Sequence, residues 1–359
     1  MEKSSKTLFN NLVCPLPLAH KDHIVMSHGS GGRMTKDLID NVFAKHFSNP
    51  SLAKGNDFAD LILPNDNHRR KLIISTDAHI VSPIFFPGGD IGRLAVSGTV
   101  NDVSMSGGEP LYLTASFIIE EGFPIADLEM IAESMRQTAD EAGVWIVAGD
   151  TKVTEKGKTD KIFISTTGIG LASADKEVGG QCAQPGDSII ISGSIGDHGI
   201  AVLAARNELG FRTTIQSDVA PLNNLIKSVL DVAPDTHVLR DPTRGGLATT
   251  LNEITLQSQV SIQLIEKDIP IKTEVKSACE MLGFDPLYIA NEGKVIIILP
   301  ENQALKALQA LKTNPLGKDA VVIGQVIQSS GTPRVTMKTV IGGTRIVDML
   351  SGEMLPRIC

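Results

Sequence analysis

The stretch KLIISTDAHIVSPIFFPGGDIGRLAVSGTVNDVSMSGGEPLYLTASFII, residues 71–119, decides the fold. Lys71 to Asp77 is an apolar run ending in a carboxylate, and it predicts a strand. Pro87-Gly88-Gly89 turns the chain, and Asp90 is placed to cap a helix that starts at Ile91 and runs through Leu94, Ala95 and Gly98 toward Val103. Leu111 to Ile119 predicts a second strand. Beyond this core, Leu128, Ile131, Ala132, Met135, Ala139 and Ala142 recur at helical spacing, which predicts a helix over 125–142. A third strand is expected from Val144 to Ala148, stopped by Gly149-Asp150, and a fourth from Lys161 to Leu171.

The pattern restarts near 172–178. A strand is expected at Ser188–Ile191. The glycine-rich loop Gly193–Gly199 leads into a helix, and its glycines suit a tight strand–helix connection. Leu222, Leu225, Ile226 and Val229 mark another helix, and Arg240–Gly246 opens a further one. Lys294–Leu299 and Ala320–Ile327 predict strands, with a helix over 301–312. Long connections between strands and helices in both halves favour an α+β fold over one doubly wound sheet. The expected units are 1–174, 175–343 and a loosely held tail, 344–359.

The chain has 359 residues, enough for about two domains. A net charge of −8 with no basic block makes it a poor partner for nucleic acid or an anionic membrane. No apolar run approaches the roughly 20 residues that span a bilayer. The first 22 residues hold no signal-peptide core, so a cytoplasmic location is expected. The four cysteines, Cys14, Cys182, Cys279 and Cys359, form no CxxC pair, which argues against a zinc site or a disulfide framework.

Four aspartates stand beside small or turn-forming residues: Asp57, Asp77, Asp102 and Asp150. Hard cations such as Mg²⁺ take oxygen ligands and share them with phosphates, so four such carboxylates could converge on an ion; the plainer reading of each, from spacing alone, is a turn former or cap. The loop His28-Gly29-Ser30-Gly31-Gly32-Arg33 could turn backbone N–H groups toward phosphate oxygens, or be a flexible turn. Lys152 follows Asp150-Thr151 and could neutralise phosphate or act as a base. Glu292 precedes an apolar strand and could be a positioned base. Asp241 and Arg244 could pair or touch a ligand. Cys359 closes the sequence, where a thiol on a mobile segment could visit two sites in turn.

The chain resembles a known family over essentially its whole length. The resemblance rests on HGSGGR at 28–33, STD at 75–77, the segment 82–113, EEGFP at 120–124 and AGDTKV at 148–153. It continues with GDHG at 196–199, DPTRGG at 241–246, NEG at 291–293 and PRIC at 356–359. Together these are similar to the HypE carbamoyl dehydratases of the aminoimidazole ribonucleotide synthetase-like superfamily, and PRIC is the most specific of them. The resemblance implies that Cys359 receives a carbamoyl group from the carbamoyltransferase HypF. ATP then drives its dehydration to a thiocyanate, and the cyanide passes through the HypC–HypD complex to the iron of a [NiFe]-hydrogenase. It implies a homodimer whose N-terminal halves share a β-barrel, with ATP near that interface and an α/β sandwich-type second domain. Mg²⁺–ATP would then rest on Asp57, Asp77, Asp102 and Asp150, helped by Asn101 and Thr151, with Gly29, Ser30 and Gly31 over the phosphates. Lys152 and Glu292 match the positions around the carbamoyl nitrogen, which leaves open which of the two takes the proton. Two other readings remain: a related ATP-using enzyme such as thiamine-monophosphate kinase or selenophosphate synthetase, which lack this cysteine, and a non-enzymatic carrier of the modified tail.

Overall fold

A computed structural model describes residues 23–47, 49–63, 69–206, 214–350 and 358. The first half opens with α1 (Arg33–Leu38), which passes through a π turn into α2 (Ala44–Phe47). Strands β1 (Ala59–Ile62) and β2 (Arg70–His79) follow. A small pair, β3 (Phe85–Phe86) and β4 (Gly89–Asp90), leads into α3 (Ile91–Ser104). Next come β5 (Glu109–Glu120), α4 (Ile125–Ala142), β6 (Trp145–Thr154) and β7 (Ile162–Ser173). The five long strands form one sheet in the order β1-β2-β7-β5-β6, antiparallel except for β5 with β6.

Helix α3 begins where the sequence places it, because the Asp90 carboxylate accepts from Gly92 N (2.7 Å) and Arg93 N (3.1 Å). It is buried almost all round. A Cβ on Gly92 would lie 2.5 Å from Ile131 O, so α3 and α4 meet at backbone distance only because that residue is glycine. Strand β6 does not stop at Gly149-Asp150. Gly149, Asp150 and Thr151 keep pairing with Ala115, Ser116 and Phe117, and β-branched Thr151, Val153 and Thr154 sustain the extended chain to its end. Among the described residues β6 is a sheet edge, and no barrel closes within the chain.

The second half contains β8 (Asp187–Ile191), α5 (Asp197–Ala205), α6 (Asn223–Val232), β9 (Val238–Arg240) and α7 (Gly246–Ser258). It continues with β10 (Ser261–Ile265), α8 (Thr273–Leu282), β11 (Ile296–Pro300) and α9 (Glu301–Thr313). Three strands end it: β12 (Val321–Ile327), β13 (Val335–Lys338) and β14 (Thr344–Val347). The sheet order is β14-β13-β10-β12-β8-β11-β9. Alternate residues of its central strands face opposite layers. Ile189, Ile191, Ile296 and Ile298 join Leu247 and Leu251 of α7. Ile190, Ile297 and Leu299 join Ile226, Val229 and Leu311 of α6 and α9. Both faces are covered, which explains why β8 and β11 read as unbroken apolar runs. Thr344–Val347, expected to open a tail, is instead the outer strand of this sheet, paired with β13.

Buried Asn101 stitches the halves together. Its Nδ2 donates to Ala220 O (3.1 Å) and Glu292 O (3.4 Å), and its Oδ1 accepts from Leu222 N (2.7 Å). No helix among the described residues is long and apolar enough to cross a membrane.

Candidate active site

Five acids gather where the halves meet. On β2 the pleat turns Ser75, Asp77 and His79 toward α3, where a Cβ on Gly98 would lie 3.6 Å from Asp77 Oδ2. One turn further along α3 stands Asp102. Ser75 Oγ bonds both Asp102 Oδ2 (2.7 Å) and Asp57 O (2.9 Å), which ties the loop before β1 to α3. The second half supplies Asp241, after β9, and Glu292, before β11. Burial raises the Asp102 carboxyl well above the usual range, reinforced by Asp241, Asp77 and Asp57. Burial likewise lifts Glu292, with Asp241, Asp77 and Asp218 adding and Arg244 opposing. Asp241 is pushed up to about 7 by burial and by Asp57, against Arg240.

Arg240 is the counter-charge. Its Nε lies 2.6 Å from Asp57 Oδ2, and its Nη2 donates to Glu253 Oε2 at 2.7 Å. The Asp57 contact is close but not aligned as a hydrogen bond. Asp57 Oδ2, Glu292 Oε1 and Arg240 Nε and Nη1 are all buried without a hydrogen-bond partner. Burying such atoms unpaired is costly; a cation or donor would satisfy the carboxylate oxygens, and an acceptor on a ligand the guanidinium. No group of three or more His, Cys, Asp or Glu residues among the described ones forms a ready cage. Mg²⁺ does not need one, since it completes its shell with water and phosphate. Asp57, Asp77 and Asp102 are of the right chemistry to give such an ion one carboxylate oxygen each, the rest of its shell coming from water and phosphate.

Two of the five acids, Asp57 and Asp241, line a cleft of about 530 Å³ together with Gly31, Arg240 and Arg244. Ile39, Leu52 and Leu256 line an apolar part of the same cleft. The glycine loop packs against this region. Gly31 N donates to Thr35 Oγ1 (2.9 Å). Gly31 has φ +79° and its missing Cβ would sit 2.6 Å from Arg244 Cβ, so the loop closes over Arg244 only as glycine. Gly29 and Ser30 belong to the turn that precedes it, with Ser30 Oγ donating to Ser27 O (2.9 Å).

The structure does not bring Asp150, Thr151 and Lys152 to this cluster within one chain. Paired residues share a sheet face. Asp77, Thr166, Ala115 and Gly149 form one row, while Ala78, Ser165, Ser116 and Asp150 form the next. Asp150 and Lys152 therefore point away from the face that carries Asp77, and β6 lies three strands from β2, roughly 14 Å at ordinary strand spacing. Lys152 Nζ instead pairs with Asp150 Oδ2 at 2.7 Å, and this bond lowers the Asp150 carboxyl. Asn101 spends its amide on the main-chain bonds described above. Cys359 lies outside the described residues. Residues that sequence reasoning missed are Arg240, Glu253 and the buried pair Asp218–Lys294 (3.0 Å), whose Asp218 Oδ1 accepts from Glu292 N (3.1 Å). Arg240 at the end of the apolar run Val238-Leu239 was the available signal.

Comparison with known proteins agrees with this architecture. Residues 56–172 match the family described as AIR synthase related protein, N-terminal domain, and residues 184–335 match the corresponding C-terminal domain. The carbamoyl dehydratase HypE of Cupriavidus necator is 54% identical over 336 residues, covering 94% of this chain and 95% of that protein. The structure of a HypE–HypF complex superposes with a TM-score of 0.81 at 52% identity, covering 87% of this chain and 99% of that one. HypE in complex with ATP gives a TM-score of 0.78 at 50% identity, covering 94% and 100%. With both domain models matched and relatives of about half identity spanning nearly the whole chain, the chain belongs to the HypE carbamoyl dehydratase family of AIR synthase-like proteins.

Proposed function

We propose that this protein uses ATP to dehydrate a carbamoyl group carried on its own Cys359, making a thiocyanate for hydrogenase maturation. The observation that carries the reading is the acid cluster, in which Glu292 Oε1 is buried without a hydrogen bond, beside the cleft bordered by Arg240 and Arg244. The ATP complex of a relative and the HypF complex of another support the nucleotide and the carbamoyl donor.

Hydroxide is a poor leaving group, so the carbamoyl oxygen must first be made into a better one. In the proposed sequence that oxygen attacks the γ-phosphorus and ADP departs, while one N–H proton is lost. The C–O bond then breaks, phosphate leaves with the second N–H proton, and an S–C≡N group remains. Asp57, Asp77 and Asp102 would hold Mg²⁺, which when bound draws charge from the phosphates. Arg244 lines the cleft next to Asp241 and would face bound phosphate. Glu292, buried against other acids, is a stronger base than an ordinary carboxylate once ionised. Lys152 is the other candidate for a proton; given where β6 lies, it would act at the site of a second copy. We infer that such a homodimer forms through the open β6 edge, and that HypC–HypD receives the cyanide.

The test is the mass of the Cys359 peptide after incubation with HypF, carbamoyl phosphate and Mg²⁺–ATP. Gain of one carbamoyl group, then loss of one water only with hydrolysable ATP, is the expected result. A peptide that is carbamoylated and never loses water would overturn the dehydratase reading in favour of a carrier.

A further inference from the structure

His198 has no part in the chemistry above, yet it is buried in the first turn of α5 and all its polar atoms are engaged. Its Nε2 lies 2.8 Å from Ile358 O, and its Nδ1 lies 2.7 Å from Ser217 Oγ. The protons can be assigned from the partners. A carbonyl only accepts, so Nε2 must carry hydrogen and donate to it. Ser217 Oγ accepts from Val219 N at 3.1 Å, which leaves its own hydrogen for a bare Nδ1. Burial lowers the His198 pKa and so favours this neutral form. Phe86 stands edge-on to the ring at 5.5 Å, and Ser217 N donates to Pro87 O (2.8 Å), fixing both sides of the imidazole.

The residue thus gripped is 5% exposed. Ile358 belongs to the apolar cluster that includes Phe86, Ile91, Val219 and Ala290. Ala290 is two residues before Glu292, and Asp218, next to Ser217, holds Glu292 N. We propose that His198, oriented by Ser217, is the catch that docks the tail. It grips the main-chain carbonyl of Ile358 while the Ile358 side chain fills an apolar socket beside the segment that carries Glu292. His198 is then a positioning residue, and its importance for the reaction rests on the function proposed above. One main-chain hydrogen bond and one side-chain socket also make a contact that can be released, as a tail serving two sites requires.

The experiment follows alkylation of Cys359 by iodoacetamide in the full-length, unmodified protein, using peptide mass spectrometry. Buried Cys279 in the same sample reports whether the fold is intact. His198→Ala should raise the Cys359 rate about tenfold, the order expected for losing one hydrogen bond to a buried partner. His198→Gln, whose amide can donate to the same carbonyl, should recover most of the protection, and Ile358→Ala should lose it. An unchanged Cys359 rate in His198→Ala with Cys279 still protected overturns the catch. If Cys279 becomes reactive in that variant, Ser217→Ala and Ile358→Ala decide the matter, and wild-type rates in both overturn it. A second readout separates this from the reaction itself. Single-turnover dehydration of pre-carbamoylated His198→Ala should slow about tenfold while its carbamoylation by HypF does not slow. If protection responds as stated but even the wild type never dehydrates, the catch stands and the dehydratase reading fails.

Discussion

Arg240 acts on three of the acids around the site, Asp57, Asp241 and Glu253. Itself buried, it lies against Asp57 and bonds Glu253, two acids that are only partly exposed. Replacing it with Met removes the cation paired with both, and should cost roughly 2–3 kcal/mol, less than the 3–5 of a fully buried pair because the two acids keep some contact with water. Urea denaturation checks this, and a loss below 1 kcal/mol would mean the pair is far better hydrated than its burial implies. Histidines give a second prediction at this scale. Burial holds His79 and His198 below the ordinary 6.5, with Asp77 and Asp218 respectively pulling the other way. Between the folded value and 6.5 the unfolded chain binds a proton that the native chain does not. Stability therefore rises with pH across that window and falls on acidification from pH 7 toward 5. His198→Gln should flatten its share of this slope, and an unaltered slope would refute the assignment.

Elements differ in how plainly the sequence announces them. Helix α3 was legible because each local signal agrees: a turn at Pro87-Gly88-Gly89, a capping acid and an apolar run. Asp90→Ala should cost about 1 kcal/mol, read as a lower urea midpoint at unchanged slope. The apolar strands β8 and β11 were legible for the same reason. Strand β6 was only half legible, since Gly149-Asp150 looks like a stop and pairing with β5 overrides it. Strand β14 was missed because four residues at a sheet edge have little pattern of their own. Within the site, Asp57, Asp77 and Asp102 stood out as acids beside turn or element ends, and the fold draws them together through Ser75. Arg240 did not stand out, since its partners are Asp57, far off in sequence, and Glu253, which the folding of α7 back over β9 brings to it. His198 read as part of a structural loop, and only the fold brings Ile358 to it.

At the scale of the whole molecule, the site is made of two halves, and its completeness is a question of how many chains supply it. Asn101 joins the halves with three main-chain bonds, yet Lys152 lies on a strand edge facing the other way. That edge is unusual in exposing Trp145 (73%), Val147 (53%) and Val153 (69%) on one strand. An open, apolar edge of this kind is a template for pairing with another chain. A homodimer closed through β6 would cover it, and Val147→Lys should leave a monomer near 38.3 kDa by light scattering. Such a dimer also makes a sharper prediction. If Lys152 serves the Glu292 of its partner, Lys152→Ala and Glu292→Gln are each inactive alone. Mixed and re-equilibrated, they form heterodimers in which one of the two sites has both residues intact. Random exchange then restores about a quarter of wild-type dehydration, because half of the dimers are mixed and each has one working site. Chains that keep both residues in one site would show no recovery on mixing, and Lys152 would have to reach Glu292 around its own sheet.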